Sequence, residues 1–246
     1  MKAINLFVLC LFVTFTSFAN VPIKQKVALV ALYNSTNGNQ WINTWDLATP
    51  IASWYGVTVK NDQVVALNLE FNNLQGSLPH EIGDLENLKH LNLGLNKLTG
   101  IIPSSIGNLK RLETLNIAMN RLEGEIPSEI GNLSSLHILE LGSNKLSGMI
   151  PTEISALNKL VKLSLIDNKI SGEIPVEIMS LKQLEELVLA NNELAGDLPF
   201  ALSYFPKLKT FMVSDNKLTQ EYISLINGNN PNMMDLNSGS VITDND

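Results

Sequence analysis

The 246-residue chain has one cysteine, Cys10. An internal disulfide framework and a cysteine-built zinc site are both excluded. Histidine is nearly as scarce, and His80, His90 and His137 have no metal-ligand spacing. No phosphate loop is present, and no arrangement of serines and carboxylates singles out a triad or an acid–base pair. The chain is therefore read as a non-enzyme with no cofactor and no metal. Basic residues are in deficit, with 17 Lys plus Arg against 24 Asp plus Glu. The average field repels a phosphate backbone, so a nucleic-acid partner is not expected. Aromatics make up only 6% of residues although 45% are hydrophobic. A core built from this chain must be aliphatic.

What is present in excess is order. Asn72, Asn96, Asn120, Asn144, Asn168, Asn192 and Asn216 recur every 24 residues. Each sits in the frame L-x-L-x-x-N-x-L-x-G-x-I-P, clearest from Leu115 to Pro127. A fixed period of this length means a solenoid whose stacked repeats share one core. Seven copies start at residues 61, 85, 109, 133, 157, 181 and 205. Leu91 and Leu93 mark the seventh and ninth places of a copy. Period-two alternation turns both inward on a short strand and sends their neighbours outward. The asparagine at the twelfth place carries two amide donors and a carbonyl acceptor. Stacked once per coil, these side chains satisfy backbone groups where the chain leaves the strand. Leu98, Leu122 and Leu146 then return to the core. The glycines from Gly76 to Gly196 allow a sharp bend or a close coil contact. The prolines from Pro79 to Pro199 set an extended return segment. Ile82, Ile106, Ile130, Ile154, Ile178 and Leu202 anchor the far side. At about 2 kcal/mol per buried aliphatic side chain, several tens of such places can offset the ordering entropy. The unbroken register argues for one domain.

At these residues the chain resembles the leucine-rich repeat family. Its G-x-I-P continuation, as in Gly172-Glu173-Ile174-Pro175, is similar to the plant-type subclass, which also occurs in secreted bacterial proteins. The resemblance covers roughly residues 22 to 227. It implies an α/β repeat fold: a right-handed solenoid with a parallel β-sheet on its concave face, a helical N-terminal cap and a short C-terminal cap. It also implies recognition, without naming a ligand. Residues 52 to 59 resemble the plant cap motif C-x-W-x-G-V-x-C, with Ala52 and Val59 where its cysteines would stand. That departure points to the bacterial branch, with a cysteine-free cap.

The ends read differently from the middle. Lys2, the apolar run Ile4 to Phe15 and the small residues to Ala19 form an export signal over residues 1–19. The run is short of the ~20 residues a membrane helix needs. Without that leader and its Lys2, 16 basic residues remain against 24 acidic, a formal charge of −8. Secretion or an extracellular site is expected, or the periplasm in a Gram-negative host, with no stable membrane insertion. Residues 20–60 are expected to cap the first coil. Within them Pro22 to Asn34 reads as an amphipathic helix with Ile23, Val27, Val30 and Ala31 on one face. Asn34 to Gln40 reads as a loop. Trp41, Trp45 and Trp54 are expected to close the core, a ligand-binding aromatic cluster being the alternative. The repeats and a terminal cap occupy 61–228, with Glu221 to Ile226 as a short helix. The polar segment 229–246 is expected to be disordered.

The outward places of the strands carry the candidate site. The sixth place includes His90, Thr114, Ile138 and Lys162. The eighth includes Asn92, Asn116 and Glu140. The eleventh includes Phe71, Leu95, Met119 and Asp167. Along the eleventh place the first three residues are large and apolar and the last four polar or acidic. Neighbouring strands lie about 4.8 Å apart, so Phe71, Leu95 and Met119 form one ridge. It either packs under the adjoining loop or meets a partner. A protein or peptide ligand on the concave face is expected. A glycan on the basic row Lys97, Arg121, Lys145, Lys169 and Lys217 is the alternative, against a plain solvated charge row.

Overall fold

The outward alternation and the 24-residue step combine into a single long sheet. The computed structural model describes residues 20–198 and 205–219. The export signal expected over residues 1–19, the repeat places of Pro199 and Leu202, and the terminal helix and polar tail expected from Gln220 to Asp246 lie outside the described residues. Strand β1 (Val57–Lys60) pairs antiparallel with β2 (Gln63–Asn68). From β2 onward every pairing is parallel: β3 (His90–Asn92), β4 (Thr114–Asn116), β5 (Ile138–Glu140), β6 (Lys162–Ser164), β7 (Glu186–Val188) and β8 (Thr210–Met212). The register keeps the period intact. Leu67, Leu91, Leu115, Leu139, Leu163, Leu187 and Phe211 lie side by side across the sheet.

Each of the first five coils then runs through a short edge strand and returns by a 3-10 turn. The edge strands, such as Lys97–Thr99, Lys145–Ser147 and Glu193–Gly196, pair only with neighbouring coils. The turns His80–Asp84, Ser104–Asn108, Ser128–Asn132, Thr152–Ala156 and Val176–Ser180 follow the repeat prolines directly. Proline suits that position because its φ is pre-set and its missing N–H needs no partner there. Ile82, Ile106, Ile130, Ile154 and Ile178 are fully buried behind these turns. Gly76 illustrates why glycine is required at the bend. Its φ is 121°, and a Cβ there would run into the backbone carbonyl of Ser35.

The asparagine column forms a continuous polar rung system at the strand exit. Asn144 is typical: its amide donates to the carbonyls of Ile117, Leu141 and Gly142 at 3.0–3.2 Å, and its Oδ1 accepts from Leu122 N at 3.0 Å. Asn96, Asn120, Asn168, Asn192 and Asn216 repeat the pattern. Asn72 ties the first coil to the preceding segment, accepting from Asn43 N at 2.6 Å.

Helix α1 (Ile23–Ser35) packs against the first 3-10 turn of the repeats. Its inner face differs from the expected one. Gln25, Ala28, Leu29 and Leu32 are buried, whereas Ile23 and Val27 are 82% and 52% exposed. Two stripes at helical spacing competed, and the one carrying a glutamine won. Gln25 Oε1 accepts from Val64 N at 2.9 Å and its amide donates to Gln63 Oε1 at 2.6 Å. An aliphatic side chain at that point would leave the Val64 N–H without this acceptor. The expected loop from Asn34 is also shorter, because the helix reaches Ser35 and a 3-10 turn occupies Gly38–Gln40. Trp41, Trp45 and Trp54 are 3–5% exposed and packed ring on ring, with centroids 4.7–4.8 Å apart. Their indole N–H groups all donate to backbone carbonyls, those of Thr36, Tyr55 and Thr49. The aromatic cluster is thus interior packing and offers no ring face to a ligand.

Candidate functional site

The strands of the large sheet stop at the eighth place, but the hydrogen-bond ladder does not. Phe71 N donates to Gly94 O at 3.0 Å, Leu95 N to Ala118 O at 3.0 Å and Met119 N to Gly142 O at 2.9 Å. The next place must bring an asparagine side chain back onto the carbonyls just passed. The chain meets both demands by turning left-handed at the eleventh place. This corrects the expectation that the eleventh place is a strand position. Phe71, Leu95, Met119, Ser143, Asp167, Asn191 and Asp215 all have φ between 51° and 57°. Aspartate and asparagine tolerate that region; phenylalanine, leucine and methionine do not, at a cost of about 1 kcal/mol or more each. Nor do these three gain full burial in return. Phe71, Leu95 and Met119 are 70%, 44% and 53% exposed. The ridge stands open instead of lying under an adjoining loop.

Beside the ridge is a shallow depression of about 240 Å³. Gly94, Ala118 and Gly142 make its floor, and Leu95, Met119 and Ser143 make one wall. Asn116, Glu140 and Ser164 make the other, and Glu70 and Ile166 stand at its ends. The floor is low because the tenth place is small. A Cβ on Gly142 would meet Ile166 Cγ2 at 2.7 Å, and one on Gly94 would press on the Asn116 amide at 3.1 Å.

The structure brings four of the expected residues together here: Leu95, Asn116, Met119 and Glu140. Phe71 and Asp167 extend the same eleventh-place row beyond the depression at either end. Asn92 belongs to the eighth-place row but does not line the hollow. Its Oδ1, like those of Asn68 and Asn116, accepts from the backbone N–H two residues on, at 3.0–3.2 Å. His90, Thr114, Ile138 and Lys162 form the sixth-place row at the strand entry, outside the hollow. There His90 Nδ1 lies 3.4 Å from Thr114 Oγ1. Lys162 bridges two carboxylates, Glu140 at 2.8 Å and Glu186 at 3.4 Å. Glu140 chiefly, and Glu186 after it, hold the Lys162 ammonium above the usual lysine range despite partial burial.

Sequence reasoning overlooked the tenth place altogether. Its residues belong to neither the inward nor the outward set of a strand, because the strand has already ended. The signal available was size: Gly94, Ala118 and Gly142 are consecutive small residues at one place.

The basic row is less uniform in space than in sequence. Lys97 donates to Asn73 Oδ1 at 2.8 Å, and Lys217 pairs with Glu193 at 2.7 Å, holding that carboxyl below its usual range. Lys145 lies in register with Glu123 on the edge strands, and Glu125 follows two residues on. The edge therefore presents mixed charge. Among the described residues no cluster of three His, Cys, Asp or Glu side chains could hold a metal ion. None of the described helices is long and apolar enough to cross a membrane.

Comparison with known proteins agrees with this architecture. Family models for the leucine-rich repeat match residues 62–122, 135–157 and 159–181. Among solved structures, the chain is similar to the plant peptide hormone receptor RGFR1 in complex with RGF2, with 37% identity and a TM-score of 0.61. That match covers 62% of this chain and 24% of the receptor, so the chain spans about a quarter of RGFR1's length. The BIR3–SERK2 complex from Arabidopsis thaliana matches at 30% identity and a TM-score of 0.58, covering 79% of this chain and 95% of that one. A plant ice-binding protein shares the fold at 24% identity and a TM-score of 0.75, over 89% of this chain and 79% of that chain. With its unbroken 24-residue period, its parallel sheet and its asparagine rungs, the chain belongs to the leucine-rich repeat family.

Proposed function

We propose that this protein is a non-catalytic recognition module that binds a protein or peptide across the outward face of its large sheet. One observation carries the reading. Phe71, Leu95 and Met119 are bulky and apolar, yet they are exposed and held in a left-handed conformation. Neither backbone preference nor core packing explains them, and strain combined with exposure is what a contact surface retains. RGFR1 is a peptide hormone receptor and was solved with RGF2, which supports a peptide as the kind of partner. The same comparison, with the apolar leader of residues 1–19, supports export and an extracellular working place. Residues 20–60 serve this module as the cover of its first coil, and the secreted bacterial branch is the origin we favour.

The test is a pull-down from the host's envelope and culture fluid with two variants, after circular dichroism has shown both to be folded. Changing Phe71, Leu95 and Met119 to Ser removes the ridge and leaves the inward leucines in place. Binding should be lost. Changing Lys97, Arg121, Lys145 and Lys169 to Ala should leave binding nearly intact. The reverse result would refute the sheet-face reading and make an anionic glycan on the edge row the better account.

A further inference from the structure

The eleventh-place row of the sheet face runs from apolar to acidic along the solenoid. At the sixth, eighth, tenth and eleventh places of the seven coils there are five carboxylates, Glu70, Glu140, Asp167, Glu186 and Asp215, and one lysine, Lys162. Lys162 is already committed to Glu140 and Glu186. Among the described residues no lysine or arginine pairs with Glu70, Asp167 or Asp215. Asp167 accepts only an amide, from Asn191 at 2.9 Å. The apolar ridge occupies the first three coils, with Glu70 beside it, and Asp167, Glu186 and Asp215 lie one in each of the last three. The left-handed backbone at the eleventh place explains why an Asp or Asn is comfortable at residues 167, 191 and 215. It does not select aspartate over asparagine or glycine, and it has no bearing on Glu186, which lies at the sixth place.

We infer that the ligand of this face is an extended peptide segment with bulky apolar residues at one end and lysine or arginine at the other, lying across the strands along the solenoid axis. This rests on the sheet-face reading above and adds the ligand's chemistry to it. The spacing follows from the fold. Met119 and Asp167 are two coils apart, about 10 Å at ~4.8 Å per strand, and an extended chain covers that in about three residues. Phe71 and Asp215 are six coils apart, about 29 Å, or roughly nine residues. An apolar anchor and a cation three to nine residues away would meet the ridge and the acidic end together. The small floor residues Gly94, Ala118 and Gly142 leave room for main chain close to the sheet.

A displayed library of random decapeptides can be selected against the full chain, and each clone re-measured against two variants. One is the Phe71, Leu95 and Met119→Ser variant. The other is Asp167→Asn with Asp215→Asn, which preserves shape and the left-handed preference. Enriched clones should carry apolar residues at one end and Lys or Arg at the other. They should bind the amide variant about threefold to tenfold more weakly, two exposed ion pairs each contributing modestly. That loss should shrink at high salt. Clones that need the ridge but show no basic end, or ignore the amide substitutions, would overturn this inference and leave the sheet-face reading standing. Enrichment only of ridge-independent clones, or of none, would sink both.

Discussion

Replacing Asn144 by leucine tests the rung system where it is most regular. The side chain makes four hydrogen bonds, but they are not equally costly to lose. Gly142 O keeps a bond from Met119 N, Ile117 O keeps one from the Asn120 amide, and Leu141 O keeps one from the Asn168 amide. Leu122 N has no acceptor but Asn144 Oδ1. Leucine therefore orphans one buried N–H outright and weakens three carbonyls that remain partly satisfied. The orphan alone costs about 1–3 kcal/mol, and the weakened carbonyls bring the loss to about 2–4 kcal/mol. For a chain of this size that is roughly 4–16 °C in melting temperature. Lys145→Ala, one residue on and at the exposed surface, should change stability by no more than about 0.5 kcal/mol. Thermal denaturation followed by circular dichroism reads the difference. Amide hydrogen exchange supplies the specific signature, because Leu122 N–H should lose protection more than the other core amides of its coil. Equal melting temperatures for the two variants would refute the rung account. So would an unchanged Leu122 amide in a destabilised Asn144→Leu protein.

Two further outcomes are expected. Phe71→Asn should raise the melting temperature by about 1–3 °C while weakening ligand binding, since asparagine relieves a left-handed strain of about 1 kcal/mol at a side chain with little burial to lose; a lower melting temperature would show that Phe71 is there for packing. Deleting residues 20–60 should bare the first coil and cause aggregation, because α1 and the tryptophan cluster cover it; a soluble monomer with an unchanged melting curve would show that this coil needs no cover.

Repetition made the scaffold legible. Leu91 alone says little, but Leu67, Leu91, Leu115, Leu139, Leu163 and Leu187 at one place leave a single reading, and they lie side by side in the sheet. What happens once per chain was harder. In α1 the stripe Ile23, Val27, Val30 and Ala31 is the more hydrophobic, yet Gln25 decided the orientation by serving a backbone N–H that no periodicity reveals. The eleventh place conceals its conformation for a related reason. Phe71, Leu95 and Met119 look like outward strand residues, and nothing in their chemistry announces a left-handed backbone. Asp167, Asn191 and Asp215 at the same place did announce it, because Asp and Asn are the side chains that region favours. The depression is hidden in the same way, since its floor of Gly94, Ala118 and Gly142 precedes the turn by one residue.

The position of the ridge connects scaffold and surface. At the eleventh place the backbone is held from both sides, by an amide bonded to the next coil and by the following asparagine anchored on the carbonyls before it. Those bonds are made by main chain and by the twelfth residue, so they are indifferent to which side chain stands at the eleventh. A strain of about 1 kcal/mol at Phe71, Leu95 or Met119 is therefore absorbed locally, without disturbing the leucine columns. The side chain at that place is free to change from coil to coil while the fold stays constant. In this chain it changes once, from three apolar residues to Ser143 and then to Asp167, Asn191 and Asp215. A column drifting without a partner would settle toward Asp, Asn or Gly, which the backbone prefers. Three consecutive coils that resist that preference, separated by Ser143 from three that satisfy it with two carboxylates, are what the proposed contact surface would account for.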